Sequence, residues 1–332
     1  MNSFGRIFRV HIFGESHGES VGIVIDGCPA GLSLSEEDLL PDLERRKGGR
    51  QKGTTPRQEA DYPFFKSGLF NGKTTGAPIV IIFDNKNIRS SDYEKQRSIP
   101  RPGHADWVAH QKYGGNEDYR GGGHFSARLT TGLVAAGAIA KKIMGNGVSI
   151  ISAVTEIGGE ADLEKGLQKA IDAKDSVGGI VECRVNGLPV GLGEPFFDSV
   201  ESQLSHIAFA IPAVKGVEFG SGFAAAKMFG SQHNDAIETM EGKTRTNHAG
   251  GIVGGISNGN ELVFRISIKP TASTPKEQNS LNWDSGQAEN FSIKGRHDLC
   301  VALRAPVILE AATAVALVDL FLLEQHSKRV IN

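Results

Sequence analysis

Cysteine is scarce in this 332-residue chain, with three residues at positions 28, 183 and 300. They are odd in number and form no Cys-x-x-Cys pair, which leaves no basis for a disulfide framework or a structural zinc site and points to a reducing, cytoplasmic setting. An excess of charge of one sign is also missing, because 36 Lys and Arg stand against 38 Asp and Glu. A globally basic nucleic-acid binder is disfavoured on that ground, although a local cationic site remains open. Long apolar runs are few. The N-terminal MNSFGRIFRVHIFGESHG breaks its apolar residues with Arg, His and Glu, so it lacks the core of a signal peptide. The most apolar stretch, Val307 to Leu323, carries Glu310 and Asp319, which predicts a buried core helix and no membrane span.

Glycine is what the chain has in excess: 42 residues, about 13% where about 7% is usual. They are not periodic and only 13 prolines accompany them, which sets aside collagen and low-complexity disorder. They gather at Gly48-Gly49 with Gly53, at Gly114-Gly115, at Gly121 to Gly123, and at Gly250-Gly251 with Gly254-Gly255. Basic or hydroxyl residues lie near each group. That pattern suits tight turns and equally suits places where backbone approaches an anion closely.

Short β-like runs cover Ile7 to Phe13, Val21 to Ile25, Ala77 to Phe83, Val148 to Thr155, Gly179 to Val185 and Glu261 to Ile268. Between them the patterns predict helices from a Ser35/Asp38 capping box to Arg46, over Ser126 to Met144, from an Asp198 cap through Ile211, and over Ala305 to Glu324. Strands and helices mix without the rhythm of a doubly wound sheet. The expectation is an α+β fold with largely antiparallel sheets, and the length suits one large domain or two merged halves.

Familiar signatures fail on spacing. Gly72-Lys73-Thr74 would need Gly at position 67 for a Walker A loop, and Ser67 stands there. Gly145-Asn146-Gly147 would need Gly at 150 for a Rossmann fingerprint, and Ile150 stands there. His104, Asp106 and His110 do not form a metal-ligand pattern, so no metal is expected. Ser16 beside His17 matches a hydrolase elbow by letter only.

The segment from 45 to 57, RRKGGRQKGTTPR, holds six basic residues and no acidic one. It lacks interleaved aromatics for base stacking, so a small anionic ligand suits it better than RNA, although a non-catalytic binder of phosphorylated ligands or RNA stays an alternative. Arg101, Ser126 with Arg128, and Arg296 also lie beside glycines or helix starts. Several Arg side chains on one ligand imply multiple negative charges, each contact supplying about 4 kcal/mol of gross attraction at a dielectric near 20. His17 and His104 sit in loop-like contexts suited to proton transfer.

Six ordered motifs carry a family resemblance: FGESHG (13–18), RPGHAD (101–106), RGGGHFSAR (120–128), NHAGGIVGGIS (247–257), KPTAS (269–273) and GRHD (295–298). TPRQEAD (55–61), TTGAPI (74–79) and AVKGVEFG (213–220) agree as well. In this order they resemble the chorismate synthase family from about residue 4 to 324. The resemblance implies a carbon-oxygen lyase that eliminates phosphate from 5-enolpyruvylshikimate 3-phosphate in a 1,4 sense, giving chorismate for aromatic amino acid synthesis. It implies reduced FMN without net redox change, with NADPH as a possible source of reductant, and a cytoplasmic homotetramer that engages neither nucleic acid nor membrane. The implied fold is a single domain over 1–332, a β-α-β sandwich with a helical layer between two antiparallel sheets.

The resemblance also implies residue roles. His17 is the acid near the departing phosphate, His104 the proton donor to reduced flavin, and Asp298 the group near the flavin that helps remove the C6 proton. Ser16, Arg46, Lys52, Arg57, Arg101, Ser126, Arg128 and Arg296 fall where substrate is held. His124, Phe125, Ser126, Ala127, Pro212, Ala213, Gly254, Lys269, Pro270, Thr271, Ala272, Ser273 and Arg296 fall where FMN is held. The chain departs from the family pattern at His124 and Lys52, each in place of Arg, at Leu129 in place of Glu, and at Gly48 and Leu299, each in place of Pro.

Overall fold

A computed structural model of the chain describes residues 2–49, 52–55, 59–87, 97–293 and 297–326. The apolar alternation of the first third becomes an antiparallel sheet. Its strands are β1 (Ser3–Phe4), β2 (Arg9–Gly14), β3 (Ser20–Asp26), β4 (Phe64–Ser67) and, after a small hairpin of β5 (Leu69–Phe70) and β6 (Lys73–Thr74), β7 (Ile79–Asp84), in spatial order β1-β2-β3-β7-β4. Ile23 lies opposite Ile12 on one side and Ile81 on the other. Because side chains alternate along a strand, Val21, Ile23 and Ile25 with Ile79, Ile81 and Phe83 all face inward and are fully buried.

A second antiparallel sheet uses β8 (Ser149–Ile157), β9 (Gly179–Asn186), β10 (Val214–Phe219) and, after the hairpin β11 (Ile252–Val253) and β12 (Ile256–Ser257), β13 (Leu262–Ile268), in order β10-β13-β9-β8. A separate hairpin, β14 (Gln278–Asn282) with β15 (Gln287–Phe291), follows. The helices are α1 (Leu40–Arg46), α2 (Asp106–Tyr113), α3 (Thr130–Met144), α4 (Leu163–Ala173), α5 (Val200–Ala208), α6 (Gly230–His233) and α7 (Ala305–His326). Helix α3 packs on β2, β3 and β7, α7 packs on β8 and β9, and the two helices pack on each other. The result is the expected α+β sandwich with helices between two antiparallel sheets.

The α3–α7 approach is close because of one glycine. A Cβ at Gly137 would lie 2.3 Å from both Cα and Cβ of Ala311, so any larger residue would force the helices apart. Helix α7 is the one element among the described residues long and apolar enough to cross a membrane, and most of it is buried within the protein. Its two carboxylates explain why it belongs there. Asp319 accepts the backbone N–H groups of Arg6, Ile7 and Phe8 at 2.9, 2.8 and 2.8 Å, and Glu310 takes the Arg45 guanidinium on both oxygens at 2.7 Å each, with Lys141 at 3.1 Å and the Ser152 N–H at 3.0 Å. Buried carboxylates so fully paired anchor the helix to both sheets.

Boundaries differ from expectation at three helices. Ser35 N–H donates to Asp38 Oδ2 at 2.9 Å as the capping box requires, but it opens a 3-10 turn, Glu36–Asp38, and α1 starts afresh at Leu40 with Pro41 in its first turn. Ser126 caps a 3-10 turn, Ala127–Leu129, ahead of α3. Helix α5 is capped by Ser199, which accepts the Ser202 N–H at 3.0 Å, and not by Asp198, which pairs with Arg6 at 2.6 Å; the helix ends at Ala208.

Candidate active site

A cavity of about 700 Å³ opens where the C-terminal end of α1, the 101–105 loop, the glycine turn at 121, the start of α3, the segment after α5, the 269–273 segment and the turn before α7 converge. Its charged lining consists of seven cations, Arg46, Lys47, Arg101, Arg128, Lys215, Lys269 and Arg304, against Glu59, Asp61 and Asp298. Asp106, behind Arg101, adds a fourth carboxylate. The described wall therefore carries an excess of three positive charges, and a ligand of similar opposite charge would balance it.

Arg46 ends α1 and Arg128 sits in the turn before α3, and both are buried on one carboxylate. Asp61 accepts from Arg46 Nη2 at 2.7 Å on one oxygen and from Arg128 Nη1 on the other. Burial alone would raise the Asp61 carboxyl, and the two guanidinium groups overcome it and hold the group below the usual carboxylate range. Burial, reinforced by Arg128 and Arg304 and opposed by Asp61, pushes Arg46 down to about 10, still charged at neutral pH. The two arginines are not equivalent. Arg128 is spent on protein, donating also to Asn85 Oδ1 at 3.0 Å, Thr131 Oγ1 at 3.3 Å and the Asp84 carbonyl at 3.2 Å. Arg46 keeps donors in hand, since its Nε has no partner among the described residues and its Nη1 reaches only Thr130 Oγ1 at 3.4 Å.

On the facing wall, Asp106 opens α2 and grips Arg101 with two bonds of 2.7 Å. His104 Nδ1 lies 2.5 Å from Asp106 Oδ1 and 3.0 Å from Arg101 Nη2. With an ionised carboxylate as acceptor, Nδ1 carries the proton and Nε2 is the site left to exchange one. Burial lowers the His104 pKa below its ordinary value, helped by Arg101 and Lys269 and opposed by Asp106. Asp106 is itself held well below the carboxylate range, because hydrogen bonds from Arg101 and His104 outweigh its burial. Arg101 Nη1 donates to Ser273 Oγ at 3.2 Å, and Lys269 Nζ donates to the Gly103 carbonyl, which ties the 269–273 segment to this wall. Thr271 Oγ1 is buried with no partner among the described residues.

The glycine turn separates the two histidines. Gly121 and Gly122 adopt φ of +59° and +81°. A Cβ at Gly121 would lie 2.2 Å from two ring atoms of His17, and one at Gly122 would lie 3.2 and 3.3 Å from the ring of His104. His124 Nδ1 lies 2.8 Å from the Gly14 carbonyl, so the residue that departs from the family's Arg is turned to strand β2 through that nitrogen. The Ser16 N–H donates to the Gly123 carbonyl at 3.1 Å, holding the Ser16-His17 loop against the same turn.

Asp298 closes the third side. Its two oxygens accept from the Thr55 N–H at 2.8 Å and from Arg304 Nη2 at 2.6 Å.

The structure thus gathers Arg46, Arg101, His104, His124, Phe125, Ser126, Ala127, Arg128, Pro212, Ala213, Lys269, Pro270, Thr271, Ala272, Ser273 and Asp298 around one cavity. Ser16 and His17 are buried behind Gly121. Lys52 is exposed and donates to Gln168 Oε1 at 3.1 Å, and Gly254 lies in the β11–β12 turn; neither lines the cavity. Arg57 and Arg296 fall outside the described residues. Sequence reasoning missed Asp61 and Arg304 as site residues. Asp61 stood inside the quoted TPRQEAD, and a charged residue at the mouth of the apolar run before α7 was the signal for Arg304. The three cysteines play no part: all are buried, and burial pushes the Cys28 thiol up to about 11 and the Cys183 thiol up to about 12.

Comparison with known proteins agrees with the ordered motifs. Residues 8–322 match the family model described as chorismate synthase. The chain is 69% identical over the full length of both proteins to a chorismate synthase of Chitinophaga pinensis, and 45% identical to one of Dehalococcoides mccartyi, covering 100% of this chain and 99% of that relative. A crystal structure of chorismate synthase superposes with a TM-score of 0.74 at 27% identity, over 97% of this chain and 93% of the other.

Proposed function

The chain belongs to the chorismate synthase family, lyases of the last common step of the shikimate pathway, and from that premise we propose how its own residues perform the elimination. The observation that carries the reading is the cavity, whose excess of three positive charges suits a substrate bearing two carboxylates and a phosphate. We propose that Arg46, Arg101 and Ser126, with Arg57 and Arg296, hold these groups, and that Arg128 holds Arg46 in place through Asp61. Ser16 completes the substrate set on the family pattern, and Lys52, turned to Gln168 outside the cavity, is left out of it.

A flavin suits the remaining wall. Phe125, Ala127, Pro212 and Ala213 supply apolar surface, while Lys269, Ser273 and the unpartnered Thr271 hydroxyl supply donors for its phosphate and ring edges. His124, Pro270 and Ala272 flank that wall, and Gly254, in the β11–β12 turn, is left out of the set. Reduced FMN, when bound, supplies transient electron density that lets phosphate leave with no net redox change. His17 protonates the departing phosphate from behind the glycine turn. His104 exchanges its proton at Nε2 while Asp106 fixes the ring. Asp298, with one lone pair of each oxygen already engaged, keeps the others to accept the C6 proton.

We further propose one domain over 1–332, working in the cytoplasm as a homotetramer, with NADPH as a possible reductant source. Exposed apolar side chains support assembly, among them Phe196, Phe197, Phe223 and Met240 at 85, 89, 83 and 99% exposure. The test is anaerobic incubation of the purified chain with reduced FMN and 5-enolpyruvylshikimate 3-phosphate. Chorismate and phosphate are expected in equal amounts; no product under those conditions overturns the reading.

A further inference from the structure

We propose that Arg304 is the positioning residue for Asp298, fixing the carboxylate that the reading above assigns to C6 proton removal. The side chain is mostly buried and lines the cavity at the last position of a 3-10 turn, Val301–Arg304, that runs directly into α7. A guanidinium in that place has little freedom, because its backbone is fixed to the most buried helix of the fold. Its Nη2 lies 2.6 Å from Asp298 Oδ2, and its Nη1 lies 3.5 Å from the carbonyl of Arg46. The same side chain therefore links the carboxylate to the end of α1, where the anion-holding Arg46 sits.

The opposite oxygen is held independently. The Thr55 N–H donates to Asp298 Oδ1 at 2.8 Å, and the next two residues, Leu299 and Cys300, donate their N–H groups to the Gly53 carbonyl at 2.9 and 3.2 Å. The backbone contacts set where residue 298 stands, and Arg304 sets the rotation of its carboxylate. Without Arg304 the carboxylate keeps, among the described residues, only the Thr55 hydrogen bond and is free to rotate about it. Arg304 thus fixes the direction in which the remaining lone pairs of the proton acceptor point. It acts through Asp298 and needs no contact with substrate.

This inference rests on the proposed role of Asp298, so the experiment tests both in the full chain with reduced FMN. R304Q, R304K, D298N and the double variant D298N/R304Q are compared in kcat and KM, with unfolding curves as a check on folding. R304Q is expected to lower kcat by about 10²-fold with KM within about threefold, as loss of an orienting partner does. R304K, which keeps the charge but not the planar fork, is expected to recover about tenfold of that loss at unchanged KM. In the D298N background, R304Q is expected to add less than about twofold. A raised KM with intact kcat in both Arg304 variants overturns the inference and makes Arg304 a substrate-holding residue, and losses that multiply in the double variant overturn it too. Should R304Q fail to fold, the kcat and KM of R304K decide in the same way. Wild-type turnover in D298N instead removes the role of Asp298 itself, and the inference falls with it.

Discussion

Replacing Gly121 with alanine tests the claim that the glycine turn exists to let two histidines approach the same backbone. At φ +59°, a residue with a Cβ costs about 1–2 kcal/mol in backbone strain alone. The added methyl would also stand 2.2 Å from Cε1 and Nδ1 of His17 and 3.1 Å from Ser16 Oγ, where an ordinary carbon contact is about 3.5 Å. The ring must retreat by more than about 1 Å, and overpacking of that kind costs about 1–3 kcal/mol. Together the substitution is expected to destabilise the protein by about 2–5 kcal/mol, measured by urea unfolding. Because a displacement of about 1 Å at a reacting group costs about 10²-fold, turnover is expected to fall by that factor in the fraction that stays folded. Gly72→Ala is the control: its φ is +69°, and a Cβ there meets nothing within 4 Å. It carries the strain without the collision, so it should lose about 1–2 kcal/mol and no activity. If Gly121→Ala loses no more stability than Gly72→Ala and keeps wild-type turnover, the packing argument is wrong.

Asp106→Asn removes the partner that opposes burial at His104, so the imidazole should titrate lower still, followed by its ring proton shifts; an unchanged or higher value refutes the electrostatic account. The linked stability has a definite sign. Because the folded His104 pKa lies below the ordinary value of about 6.5, its contribution is present above that value and is lost as pH falls from there toward the folded pKa. Asp61→Asn leaves Arg46 and Arg128 buried without their shared counter-charge, and asparagine tolerates the left-handed φ of +50° at this position, so the backbone is not the cause of any loss. A cost of about 3–5 kcal/mol in urea unfolding is expected, and less than about 1 kcal/mol would show that the triad is not coupled.

The fold was legible wherever one face of an element had to be apolar. The buried alternation of Val21, Ile23 and Ile25, and the continuous run of α7, each answer to a local pattern that burial enforces. Choices between neighbours of similar chemistry were not legible. Asp198 and Ser199 are both good caps, and what decides between them is that Arg6, far away in the chain, takes Asp198 for an ion pair. The same limit explains the site. Arg46, Arg101 and Arg128 stand among glycines in loops, where a cation has an evident use. Asp61 gains its meaning only from arginines 15 and 67 positions away, and Arg304 only from Asp298 across a turn.

Those same pairs show how a chain with a net charge of −2 holds a cationic cavity. Its carboxylates are not kept away from the arginines but placed behind or between them, Asp106 behind Arg101 and Asp61 between Arg46 and Arg128. Bare buried guanidinium groups would repel one another and each would cost several kcal/mol to bury. One carboxylate for two arginines offsets most of that cost and leaves a positive remainder. Arg128, whose donors are taken up by protein oxygens, fixes the geometry, and Arg46, with Nε unmatched among the described residues, is left to carry the remainder to a ligand. Affinity for a multiply charged substrate then depends on which donors the folded protein leaves unspent, and not on how many arginines it has.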